Sequence, residues 1–159
     1  MTQTTLCHFI VGLPSSGKST FAKQLHQQIP DSVVISASAI EAELSEREKT
    51  KVKWNNVENE VIDRVRLGAK YEQVVIYDAN NVRLDRRKSF LDKTSDLNFE
   101  WVCWWIKTPV NVCKYWNKRR PIQIPKAIID ESYDDLEQSP PTVEEGFVAI
   151  KEVNPQSSF

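Results

Sequence analysis

Residues 12–19, Gly12-Leu13-Pro14-Ser15-Ser16-Gly17-Lys18-Ser19, are the part of this 159-residue chain whose types and spacing most plainly allow chemistry. They match G-x-x-x-x-G-K-[ST], the phosphate-binding P-loop pattern, which average residue frequencies would produce by chance in under roughly one per cent of chains this long. The two glycines permit backbone angles and close approaches that a Cβ would block, so the loop amides can converge on one anion. Lys18 supplies a mobile positive charge for β- and γ-phosphates, and the Ser19 hydroxyl is a hard oxygen ligand for Mg²⁺. Thr20 completes the candidate nucleotide-binding set at the amino end of a helix, whose partial positive charge favours the same anion.

Such a loop works only between a buried strand and a helix, and both are legible without reference to the motif. Leu6 to Val11 is a short, mostly apolar run that stops at Gly12, as a strand buried on both faces does. Lys18 to Ile29 carries Phe21, Ala22, Leu25 and Ile29 at helical spacing. Further strands are expected at Val33–Ser36, Val74–Tyr77, Phe99–Ile106 and Phe147–Ile150. Helices are expected from Ile40, from Trp54 to near Gly68, from Arg83 to about Asp96, from Pro109 to Trp116 and from Lys126 to Leu136. Leu84, Phe90 and Leu91 are the expected inner residues of the charged helix after Arg83, and the aromatics of Phe99–Ile106 are expected in the core.

Strand and helix alternate along the chain, which implies an α/β fold: a five-stranded, mainly parallel sheet between two helical layers, with ligands at the carboxyl ends of the strands. One domain over residues 1–159 is expected, with its core at about 6–153 and a frayed tail at 154–159. The composition, 40% hydrophobic and 27% charged, excludes disordered, collagen-like and disulfide-scaffold classes. No apolar stretch suffices to span a bilayer and the first residues lack a basic leader, so a soluble cytoplasmic protein without membrane partners is expected. Cys7, Cys103 and Cys113 are widely spaced with no zinc pattern, and His8 and His26 stand apart from any nucleophile. All five are expected to be structural.

Three further segments bring a family into view: Ile35–Leu44 (ISASAIEAEL), Ile76–Arg87 (IYDANNVRLDRR) and Asn117–Pro125 (NKRRPIQIP). With the P-loop, and with Pro140–Phe147 (PPTVEEGF) near the end, the chain resembles the P-loop kinases of the phage-type polynucleotide 5′-kinase group and the small bacterial ATP-binding proteins similar to them. The resemblance implies a kinase-type P-loop fold with a short lid at about 117–138, ATP and Mg²⁺ as cofactors, and transfer of the γ-phosphoryl group to a hydroxyl. The acceptor it implies is either a nucleic-acid 5′ end or a small molecule. Asp78 would orient a lid arginine or the magnesium hydration shell, although Asp78-Ala79-Asn80-Asn81 also suits a turn that caps the next helix. Arg119 resembles the lid arginine that stabilises charge on the transferring group, and Arg120 is its neighbouring candidate.

At the end of the second strand the family usually carries an acid that takes the hydroxyl proton, then an arginine three residues later. Here those positions hold Ser38 and Glu41. With Asn81, they form the candidate substrate pocket. Serine is no base at its ordinary pKa, so a second expectation stands beside the kinase: a weakened ATP-binding module that regulates a partner. Glu41, one helical turn beyond Ser38, could replace the missing acid. A motor ATPase is disfavoured by size and because Val74–Asp78 ends in a single acid.

Charge separates the two acceptors only partly. A net charge of −1 argues against a broad nucleic-acid surface. Yet Lys107, Lys114, Lys118, Arg119, Arg120 and Lys126 follow one another with no acid between them. The same block is the expected lid, so ATP alone can account for it.

Overall fold

A computed structural model describes residues 3–155 of the chain. Five strands, β1 (Thr5–Gly12), β2 (Ser32–Ser36), β3 (Val74–Asp78), β4 (Phe99–Ile106) and β5 (Ala149–Val153), form one sheet in the order β2-β3-β1-β4-β5. Every neighbouring pair is parallel. The order reverses direction at β1, and the crevice at that switch point is where an open α/β sheet receives its ligand.

The helices are α1 (Lys18–Gln28), α2 (Ala37–Glu48), α3 (Trp54–Lys70), α4 (Leu84–Lys93), α5 (Val110–Asn117) and α6 (Lys126–Gln138). Alternation along β1 sends Cys7, Phe9 and Val11 to one face and Ile10 to the other. On the first face Phe9 meets Tyr77, Phe90, Trp101 and Phe147, with ring centroids 5.0–6.3 Å away. Val57, Val61 and Val65 of α3 complete this larger core. On the second face α1 lays Phe21, Ala22 and Leu25 over Ile10, Ile76 and Ile106. The expected layers are thus present, and Trp101 of the aromatic strand is core, as expected.

The five expected structural residues are quiet. His8 accepts a hydrogen bond from the Trp104 indole at 2.9 Å, and burial lowers its pKa, keeping it neutral. His26 pairs with the Ser32 hydroxyl at 2.8 Å. The three thiols are free and buried, with burial pushing Cys7 and Cys103 up to about 12 and Cys113 to about 11. They are inert.

Several local expectations are corrected. The last strand begins two residues later than the Phe147–Ile150 run suggests, because Phe147 drops into the aromatic core and only Val148 starts the ladder, donating to the Trp101 carbonyl at 2.9 Å. Gly68 does not end α3, which continues to Lys70; a Cβ there would sit 3.0 Å from Val75 Cγ2, so the glycine lets helix and sheet pack closely. Leu84 is exposed at the start of α4, and Arg87 takes the inner position. Of the expected tail, residues 156–159 lie outside the described residues.

Arg87 is fully buried and bonded on every side. Its Nε and Nη2 donate to Glu145, its Nη1 to the Asn81 carbonyl at 3.0 Å, and its Nη2 to the Ser139 carbonyl at 2.6 Å. Glu145 closes a capping box with Thr142. The chain after β3 is thereby stapled to the chain after α6.

Candidate functional site

β1 delivers the chain to the switch point and the loop turns back over its end. Gly12 has no room for a side chain: a Cβ would stand 2.8 Å from Ser16 Oγ and 3.2 Å from Lys18 Cγ. Gly17, at φ 96°, occupies the left-handed region and leads into α1 without a side-chain cap. The first helical bond is donated by Phe21 to the Gly17 carbonyl, so the amides before it, those of the first turn, point out of the helix end toward the cleft.

Lys18 is buried and donates to the Leu13 carbonyl at 2.6 Å. Burial brings its ammonium down to about 8, while the nearby Asp78 charge acts in the opposite direction. Asp78 ends β3 in register with Ile10 of β1 and Ser36 of β2. Ser19 donates to Asp78 Oδ2 at 2.9 Å. These two oxygens, a hydroxyl and a carboxylate at one spot, suit Mg²⁺, which takes one or two protein oxygens and completes its shell with phosphates and water. Among the described residues no cluster of three or more His, Cys, Asp or Glu side chains could hold a metal alone. The donor set therefore fits a cation that arrives with a polyphosphate.

The Asp78–Asn81 turn is bound to β1 as well as to Arg87 of α4. Gly12 donates to the Asn80 carbonyl at 3.0 Å, and the Asn81 side chain donates to the Ile10 carbonyl at 2.8 Å. α4 starts after Arg83 with no side-chain cap, so the helix-capping reading of this turn does not hold. Asn81 borders the cleft, with its amide engaged on backbone.

Arg120 and Arg119 diverge. Arg120 Nη1 reaches Ser15 Oγ at 3.1 Å, directly over the phosphate loop. Arg119 turns away, with its guanidinium 4.7 Å from the Tyr115 ring centroid and a hydrogen bond to the Tyr115 hydroxyl. Asn117 holds the turn between α5 and α6, accepting from the Ile124 amide at 2.9 Å and from Ser15 Oγ at 3.3 Å.

A cleft of about 620 Å³ opens at this end of the sheet. Residues 14–20, Ser38, Glu41, Asp78, Asn81 and Arg120 all border it, whereas Arg119 does not. Ser38 Oγ lies 3.2 Å from Ser36 Oγ, and no carboxylate occupies its position. Trp54, Arg83, Arg86, Glu131 and Asp135 also border the cleft and escaped the sequence reading. Arg83 and Arg86 belong to a helix read only as charged, and Trp54 opens another; nothing in their spacing distinguishes a cleft wall from a surface.

A family model described as an AAA domain matches residues 8–138. No curated protein matches the chain. Among solved structures, it is similar to the Pnkp1/Rnl/Hen1 RNA repair complex, with TM-score 0.74 and 18% identity over 87% of this chain and 46% of that one, so it spans less than half of that relative's length. It is also similar to Chaetomium thermophilum Kti12 in complex with ADP-AlF3, with TM-score 0.70 and 16% identity over 94% and 88% of the two chains. A third is the Mycobacterium tuberculosis APS kinase CysC in complex with AMPPNP and APS, with TM-score 0.59 and 15% identity over 87% and 100%. With a phosphate loop at the switch point of a parallel five-stranded sheet, the chain belongs to this AAA-domain family and has the P-loop kinase fold.

Proposed function

We propose that the chain binds ATP with Mg²⁺ and transfers the γ-phosphoryl group to a hydroxyl acceptor. The observation that carries this reading is the convergence of Lys18, the Ser19–Asp78 pair and Arg120 on one cleft. Residues 12–20 hold the phosphates, Ser19 and Asp78 hold Mg²⁺, and Lys18 and Arg120 meet the charge spread over the transferring oxygens. The metal supplies charge neutralisation across the phosphates when bound. The segment 117–138 acts as the lid. As the acceptor oxygen bonds to the γ-phosphorus, the bond to the β–γ bridging oxygen breaks, ADP leaves, and the hydroxyl proton passes to Glu41. The acceptor is a nucleic-acid 5′ end or a small molecule; RNA repair and APS kinase structures both share the fold. Three buried free thiols suit a reducing compartment such as the cytoplasm.

Ser38 favours a second reading, the weakened regulatory module, since no acid stands where the family's base is expected. Incubation with labelled ATP, Mg²⁺, 5′-hydroxyl oligonucleotides and a metabolite mixture separates the two. Transfer to an acceptor, lost in Lys18→Ala and reduced by roughly 10²-fold or more in Glu41→Gln, is the expected result. ATP binding with no transfer to any acceptor would leave only the regulatory module.

A further inference from the structure

The cleft has a second end, formed by the start of α2, the start of α3 and the first turn of α4. There the Arg86 guanidinium lies 4.2 Å from the centroid of the Trp54 ring. Arg83, three residues earlier, spends its fork on Asp85, with Nη2–Oδ2 at 2.8 Å. The Arg86 guanidinium makes no hydrogen bond or ion pair among the described residues; Asp85 reaches only its backbone amide. Burial and the Arg83 charge lower its pKa, against smaller opposing pulls from Asp85, Tyr77 and Glu41. The guanidinium donors are half shielded from bulk water and border the cleft, where the acceptors of a ligand can meet them.

We propose that Arg86, held over the Trp54 ring, binds an anionic group of the phosphoryl acceptor, so that the acceptor is a small hydroxyl compound bearing a phosphate, sulfate or carboxylate. This rests on the reading of the cleft as an ATP-dependent kinase site. The indole holds the guanidinium at the cleft wall, and a planar fork matches two oxygens of one anion better than a point charge does. A polynucleotide suits the cleft less well. Glu41, Glu131 and Asp135 line its walls, and three carboxylates oppose a run of phosphates where a single anion needs only Arg86. The same carboxylates are good acceptors for the hydroxyl end of a small molecule.

Calorimetry on the full chain, loaded with Mg²⁺ and a non-hydrolysable ATP analogue so that the phosphate loop is filled, tests this with inorganic sulfate as the probe. One sulfate site is expected, weakened roughly 10- to 100-fold in Arg86→Gln and less in Arg86→Lys, which keeps the charge and loses the fork. Equal sulfate binding by wild type and Arg86→Gln, or none by wild type, overturns the proposal. In the transfer assay, anionic alcohols are expected to outperform their neutral counterparts, with Arg86→Gln raising KM for the anionic ones by a similar factor. A 5′-hydroxyl oligonucleotide that accepts better than every small anion overturns the choice of acceptor. Failure of the ATP analogue to bind overturns the nucleotide reading itself, and shows before sulfate is added.

Discussion

Lys18 and Arg120 serve the same cleft from opposite kinds of structure. Lys18 is buried, its ammonium fixed on a carbonyl five residues back, within a loop that Gly12 and Gly17 shape through the backbone. Arg120 is exposed and reaches the loop through a long side chain that ends on one serine hydroxyl. The first arrangement is paid for during folding and stands ready for an anion. The second costs little to rearrange, because its contacts are few and facing water. A rigid phosphate cradle beside an adjustable cover is what phosphoryl transfer needs, since the nucleotide must enter before water is excluded.

The Arg87–Glu145 staple ties the chain after β3, which borders the cradle, to the chain that leaves the cover after α6, and cutting it has the largest expected effect. Arg87→Ala leaves Glu145 buried without its partner and frees two backbone carbonyls, so a loss of about 3–5 kcal/mol is expected in urea unfolding. Replacing both, Arg87→Met with Glu145→Leu, should recover much of that loss, because the uncompensated charge is gone. A double variant as unstable as Arg87→Ala would mean that the two carbonyls and the Thr142 capping box, rather than the ion pair, set the cost.

Next in size is the contrast between the neighbouring arginines. Arg120→Ala is expected to slow transfer by roughly 10²- to 10³-fold, the range for removing a donor that meets developing charge. Arg119→Ala is expected to cost under about tenfold, its guanidinium being engaged on Tyr115. Single-turnover rates measure both. Equal losses would show that the cover repacks enough to exchange the two on closure.

The smallest effect concerns pH. Bound phosphate favours the charged lysine and raises its pKa above the value of about 8 in the free protein. Between those two values binding takes up a proton, so affinity should fall as pH rises past 8, by at most about tenfold per unit. Below that window Lys18 is already charged and the affinity is flat with respect to this group. Calorimetric titrations from neutral to alkaline pH read the slope, and Lys18→Ala should remove it along with roughly 10- to 100-fold of the affinity. A slope unchanged in that variant would assign the proton to another group.

The phosphate-loop end and the order of the layers are legible in the chain before it folds. A motif made of backbone-shaping glycines, a lysine and a serine carries its geometry locally, and the alternation of β-branched runs with amphipathic helices leaves few topologies open. Asp78 was legible through the resemblance of Asp78–Asn81 to the segment that ends the family's third strand. Which of the two adjacent arginines faces the loop is settled by the fold, because both lie in the turn that follows α5, and the path of that turn is held by the Asn117 side chain on the Ile124 amide and carbonyl. Only the tertiary structure decided the roles of Arg86 and Arg87. Adjacent in a charged helix, they look alike in sequence. One is buried against Glu145 from a segment 58 residues away, and the other stacks on Trp54 at the cleft wall. Periodicity records which residues avoid water, but the partner of a charge is a property of elements that meet only when the chain is folded.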